Sequence, residues 1–333
     1  MKLIALAALI GTVAITANAE EVNIYSSRQP ELIDPILAAF TAETGIDVNV
    51  VFLKKGMLER LRAEGRRSPA DIILTTDIAN LNAAVEAGVT QAVSSDLIET
   101  TIPAPYRDPD GQWFGLTSRA RIVYASADRV AEGELTTYEQ LADPEWAGRI
   151  CTRSGTHDYN IALTAAYLTH HTEAETEAWL NGVKANLARA PQGNDRAQVK
   201  AIWAGECDIA IGNTYYMGKM LADPEQIEWA ASVNLIFPVF EGSGTHINLS
   251  GMAMTASAPN AGNALKLMEF LVAGTAQALY AEANYEYPLN ADVPASELVA
   301  GWGNFTPDDT PLVEISKLRG AALQLVERVD FDG

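Results

Sequence analysis

The sequence predicts an α/β protein of two lobes with a hinge and a central ligand cleft. Three observations point there. Strand and helix patterns alternate from residue 21 onward, a second alternating stretch follows near residue 120, and neither an internal repeat nor a low-complexity linker separates them. Two lobes without a flexible linker imply that the backbone crosses between them more than once. Such a crossing permits hinge closure over a ligand.

The elements follow in order. Residues 22–25 form a short β-prone run. The spacing of Leu32, Ile33, Ile36, Leu37 and Phe40 predicts a helix over 31–43, ended by Thr44-Gly45. Residues 48–53 are a β-branched strand, 57–64 a helix and 71–75 an apolar strand. Asp77 caps a helix that reaches Glu86 and stops at Gly88. This succession gives a parallel sheet with helices on both faces. In the second stretch, 122–124, 149–151 and 207–212 read as strands, and 160–168, 173–187 and 195–204 as helices. Residues 233–240 and 245–254 are extended, and helices return at 261–281 and 312–329. The expected division puts 20–117 with about 240–290 in an N-terminal lobe and 118–239 in a C-terminal lobe. Residues 291–333 form a helical segment that packs on the lobes.

Composition narrows the function. The 333 residues are 48% hydrophobic and 20% charged, enough for two ordinary cores. Against 43 acidic residues stand only 23 basic ones, a formal charge of -20 that disfavours nucleic acid or an anionic membrane as partner. Residues 1–19 read as a cleaved signal peptide: Lys2, an apolar stretch from Leu3 to Ile10, and the small-x-small site Ala17-Asn18-Ala19. Glu20, not Cys, stands directly after that site, and no later run approaches the ~18 apolar residues of a membrane span. A periplasmic, monomeric protein without membrane insertion is expected. In that oxidising compartment Cys151 and Cys207 suit a structural disulfide, with two separate buried thiols as the alternative. Their spacing is far from CxxC, so zinc has little support.

The chemistry-bearing residues cluster after strands. Asn213-Thr214-Tyr215-Tyr216-Met217-Gly218 follows an apolar strand. At a strand-to-helix junction both phenols can face the crevice outside the sheet's carboxyl edge, where ligands of open α/β sheets sit. The alternative is two half-buried aromatics packing a lobe surface. Tyr159 lies in a segment that also follows a strand and opens a helix, with Ser154 and Gly155 near a helix end suited to an anion. An ordinary cap with an exposed Tyr is the plainer alternative. Arg119 and Arg121 share parity in a strand, so either could reach the cleft; solvated surface arginines are the alternative.

Phenols and an Arg in one cleft suit a hard trivalent cation with its anion. A phenol titrates near ~10, so it becomes a ligand at neutral pH only beside a strong cation. Three phenolates balance Fe3+ formally, and oxygen suits a hard ion. The remaining positions need a small anion or water, held by Arg119 and the helix end at Ser154. His157 sits near this site, His170-His171 end a helix, and His246 lies in a strand. Ser154 and His157 lack a third orienting residue, which leaves a hydrolase with little support. No acidic pair, Gly-x-Ser-x-Gly elbow or Walker loop argues for catalysis. A binder of a small organic anion without metal is the rival on the same fold.

Over nearly all of the chain after residue 19, the sequence resembles the periplasmic ferric-ion-binding proteins of bacterial ABC iron importers. The resemblance rests on Ile24-Tyr25-Ser26-Ser27-Arg28, Thr44-Gly45-Ile46, Ser68-Pro69-Ala70-Asp71 and Gln112-Trp113-Phe114-Gly115-Leu116-Thr117. It continues through Arg119-Ala120-Arg121, Pro191-Gln192-Gly193-Asn194-Asp195, the Tyr215-Tyr216 segment, Gly244-Thr245-His246 and Tyr285-Glu286-Tyr287-Pro288. It implies a type II periplasmic binding protein, with Tyr159, Tyr215 and Tyr216 as iron ligands and Arg119 beside a synergistic anion such as carbonate. It also implies delivery to an inner-membrane ABC permease and no catalytic turnover. One branch of that family places His-Tyr where Gln29 and Pro30 stand here. The chain therefore resembles the three-tyrosine branch with an exogenous anion, in which Arg28 and Gln29 meet the anion by hydrogen bonding.

Overall fold

The computed structural model describes residues 20–333. The signal peptide expected at 1–19 lies outside the described residues. Nine strands form one continuous ladder: β1 Glu21–Ser26, β2 Asp47–Phe52, β3 Ile72–Thr75, β4 Phe114–Ser126, β5 Ile150–Cys151, β6 Ile209–Asn213, β7 Val233–Ile236, β8 Ile247–Met254 and β9 Tyr287–Pro288. The order is β2-β1-β3-β8-β4-β6-β5, with β7 and β9 also paired to β4. Strands β1, β2 and β3 are parallel, as the alternation predicts.

Strand β4 holds the two halves together. All 13 of its residues are buried. Its first half, Phe114 to Ala120, pairs antiparallel with β8, and Arg121 to Ala125 pairs with β6. A strand of this length runs roughly 40 Å, so one chain segment passes from the N-terminal sheet into the C-terminal one. The segment after β8 returns to the first half, where the helices Ala261–Val272 and Gly274–Asn284 pack. Helix Leu312–Lys317 touches both Ile78–Glu86 and Asp158–His170. Cys151 and Cys207 are joined in a disulfide beside the β5–β6 pairing.

Several expected elements differ in extent, each for a local reason. The helix expected over 31–43 is a 3-10 turn at Pro30–Leu32 followed by an α-helix at Asp34–Thr44, because Pro30 and Pro35 each favour a fresh helix start. The run 233–240 stays a strand only to Ile236, since Pro238 has no N–H to donate. The helix expected over 261–281 breaks at Ala273, where the Leu271 and Val272 carbonyls accept from the Gln277 and Asn290 side chains. The one expected over 312–329 tightens at Leu318, whose N–H bonds Ile315 O at 3.1 Å. The strand at 122–124 proves to be the end of β4.

Candidate metal centre

Strand β6 is buried throughout and ends at Asn213. There the Tyr124 hydroxyl donates to the Asn213 carbonyl at 2.6 Å, and the Thr214 N–H donates to Ala120 O at 3.1 Å. These bonds fix the turn into helix Tyr215–Leu221, so the adjacent tyrosines open that helix instead of alternating across a strand. The Tyr285 ring lies on the backbone of Gly218, and a Cβ there would enter the ring. Tyr285 itself holds a left-handed backbone, φ 57°, at the end of helix Gly274–Asn284. The tyrosine helix is thus clamped between β4 and the end of helix Gly274–Asn284.

Tyr159 is the second residue of helix Asp158–His170. His157 caps that helix, its Nδ1 accepting from the Tyr159 N–H at 3.2 Å. Burial, then the nearby Arg153 guanidinium, pushes the His157 imidazole down to about 4, so the neutral ring serves as acceptor near neutral pH. The Tyr159 hydroxyl stands 3.1 Å from that of Tyr215. The Tyr215 and Tyr216 rings are in contact, with centroids 4.3 Å apart. Burial raises the Tyr215 phenol well above its ordinary 10, and Tyr159 and Tyr216 add to the effect. Tyr216 is raised for the same first reason. Two separate strand-to-helix junctions therefore deliver three phenols to one place.

The phenols open onto a cavity of about 690 Å³. Arg119 reaches it, only 2% exposed. One terminal nitrogen donates to Thr76 O, and the other, Nη1, is buried without a partner. The Arg119 guanidinium carbon lies 5.9 Å from the Tyr159 ring centroid, so a buried positive charge stands beside that phenol. Gln29 lines the same cavity. Arg28 does too, although its Nη2 is held by Glu286 at 3.0 Å and by Ser250.

Sequence reasoning missed three cations that line this cavity: Lys54, Arg196 and Lys219. Lys54 follows the carboxyl end of β2, Arg196 follows the Asn194-Asp195 motif, and Lys219 is one turn beyond Tyr215 and Tyr216. Those positions were the available signal. The positive rim contrasts with the net charge of the whole chain, -20. Among the described residues no group of three or more His, Cys, Asp or Glu is placed to hold a metal ion. Phenol oxygens are the donors gathered here.

Two expectations need correction. Arg121 does not reach the cleft; its guanidinium is buried against Asp195 at 2.9 Å and Asn160 at 2.5 Å. Ser154 does not present a free helix end. Its hydroxyl donates to Asp332, at the far end of the chain, and the Gly155 N–H donates to the same carboxylate at 2.7 Å. The protein's own carboxylate occupies the place expected for an anion. The other histidines hold structural contacts. His170 meets Asp308 at 3.1 Å, His171 meets Glu139 at 2.9 Å, and His246 is buried.

Relatives agree with this architecture. The family model described as bacterial extracellular solute-binding protein matches residues 67–304. Iron uptake protein A1 of Synechocystis is 45% identical over 315 residues, covering 94% of this chain and 88% of that protein. The crystal structure of the Pasteurella haemolytica apo ferric ion-binding protein A superposes with a TM-score of 0.91 at 48% identity, covering 95% of this chain and 99% of that one. A Trichodesmium protein solved with iron and citrate ligands gives 0.89 at 39% identity, covering 93% and 99%. With the family model spanning most of the sequence and the two-lobed sheet shared throughout, this chain belongs to the bacterial extracellular solute-binding proteins.

Proposed function

We propose that this protein captures Fe3+ as cargo in the cleft between its lobes and hands it to an ABC permease. The observation that carries this reading is the convergence of Tyr159, Tyr215 and Tyr216 at the mouth of a cation-lined cavity, two of the hydroxyls 3.1 Å apart. Burial favours the neutral phenol at Tyr215 and Tyr216, so a strongly charged ion is needed to recruit them as anionic ligands. A trivalent ion displaces their protons and gains three anionic oxygens in a site of low dielectric. The relatives named for iron uptake and ferric ion binding support the same cargo.

The anion belongs to the same proposal. Three phenolates leave coordination positions that a carbonate or another small anion fills, with the Arg119 charge and the Gln29 amide on the cavity wall to hold it. Arg28, engaged by Glu286, contributes charge more than a free hydrogen bond. Lobe closure about β4 and β8 shields the metal from hydrolysis, with residues 20–117 and about 240–290 moving against 118–239. No helix among the described residues is long and apolar enough to cross a membrane. Export to the periplasm and action as a monomer complete the reading.

Colour separates this reading from the metal-free anion binder. Purified protein given ferric citrate and bicarbonate should turn visibly coloured through phenolate-to-iron charge transfer. A colourless protein that binds the organic anion alone with unchanged affinity after Tyr159→Phe would favour the rival.

A further inference from the structure

Behind the phenols lies a carboxylate that touches none of them. Asp195 is fully buried, and its two oxygens accept three N–H groups at 2.9 Å each: Arg121 Nη1, Arg153 Nη1 and the Asn213 backbone. Each donor belongs to a different segment. Asn213 ends β6, two residues before Tyr215. Arg153 lies in the loop that leads into the Tyr159 helix. Arg121 lies in β4, and it also donates to Asn160 Oδ1 at 2.5 Å and Asn213 Oδ1 at 3.1 Å. Asn160, next to Tyr159, turns its amide onto Thr152 Oγ1 and the carbonyls of Arg153 and Ser154, all within 3.2 Å. One carboxylate is therefore the hub between the junction carrying Tyr159 and the junction carrying Tyr215 and Tyr216.

We propose that Asp195 is the positioning residue that sets the spacing of the three phenol ligands, acting through Arg121, Arg153 and Asn160. This rests on the reading of the phenols as iron ligands. Two features make the role specific to the site. The arginines that Asp195 holds lie under the Tyr159 ring, with the Arg153 and Arg121 guanidinium carbons 5.1 and 5.8 Å from its centroid, so their placement fixes that ring's tilt. Asp195 also cancels one of their two charges, which lowers the repulsion that a trivalent cargo meets from behind. Three N–H donors need both oxygens of a carboxyl group as acceptors. An amide has one acceptor oxygen, and its own N–H groups would face the donors that Asp195 receives.

The test uses the mature chain loaded with Fe3+ from ferric nitrilotriacetate in bicarbonate buffer. Three readouts are taken: the wavelength of the visible charge-transfer maximum, the rate of iron loss to excess chelator, and the apoprotein melting curve. Asp195→Asn is expected to shift the maximum and to speed iron loss at least about 10-fold. A purely structural role would lower the melting temperature and leave the maximum in place. Should Asp195→Asn fail to fold, Asn160→Ala cuts the link to the Tyr159 helix alone and is expected to shift the maximum with a smaller rate increase. A coloured wild type with unchanged maximum and rate in the variant that folds overturns the positioning role alone. A colourless wild type overturns the iron reading, and this role with it.

Discussion

The hydroxyl oxygens of Tyr159 and Tyr215 stand 3.1 Å apart, close enough for one to donate to the other. At that separation two phenolates repel strongly unless a cation lies beside them. Burial first, then the neighbouring phenols, already holds Tyr215 above its ordinary range. Burial thus keeps the Tyr215 phenol protonated at neutral pH until a strongly charged ion arrives.

Iron uptake should therefore release protons and strengthen as pH rises. For phenols whose titration in the empty protein lies above 10, each proton displaced makes the apparent affinity climb about 10-fold per pH unit below that range. Competition against a chelator of known pH behaviour, between roughly pH 5 and 8, measures the slope. A slope corresponding to two or three protons is expected. A flat profile would mean the phenols are not ligands.

Arg119→Gln tests the anion seat. Arg119 lines the cavity beside the Tyr159 ring, so loss of its charge should weaken iron retention about 10-fold. The variant's visible band should also lose its dependence on bicarbonate. Spectra across a bicarbonate series decide this, and a variant with wild-type dependence would place the anion elsewhere.

Gly218→Ala tests the clamp on the tyrosine helix. Its Cβ would push on the Tyr285 ring at the end of helix Gly274–Asn284. Overpacking of this kind costs about 1–3 kcal/mol, read as a lower denaturation midpoint. Because the helix opens with Tyr215 and Tyr216, iron should also leave faster. Unchanged retention would separate the clamp from the site.

Glu286 gives the pH dependence of stability. Burial works against its charge, yet Arg28 and Arg119, together with hydrogen bonds from Thr117 and Arg28, hold its carboxyl below the ordinary 4.5. A depressed folded value contributes stability that is complete above the unfolded value and lost as pH falls through the folded one. Urea denaturation should show Glu286→Gln less stable by about 3–5 kcal/mol at pH 7, the usual cost of breaking a buried pair. Below pH 4 the difference should narrow. A difference that is constant from pH 7 to pH 3 would contradict the assignment.

The alternation of strand and helix was legible because β1, β2, β3 and their helices obey local periodicity. Strand β4 was not. It carries Thr117, Ser118, Arg119 and Arg121 in a fully buried run, and those polar groups are satisfied only by distant partners such as Glu286 and Asp195. The break at Ala273 depends on Asn290, and the capping of Ser154 depends on Asp332, both tertiary contacts without a local signature. At the site, tyrosines after two strands were readable as a pair of junctions. Their convergence came only from the family resemblance, because the contacts at Asp195 that join the two junctions have no local signature. Lys54, Arg196 and Lys219 had positional cues at strand and helix ends, but on the sequence alone they are ordinary surface cations.

The most direct measurement is the iron content and visible spectrum of the purified mature chain beside its Tyr159→Phe, Tyr215→Phe and Tyr216→Phe variants, each exposed to the same ferric salt and bicarbonate. The expected result is one iron per wild-type chain with a visible charge-transfer band, and a weakened, shifted or lost band in every variant. Wild-type iron retention without colour, or a band indifferent to all three substitutions, would contradict it.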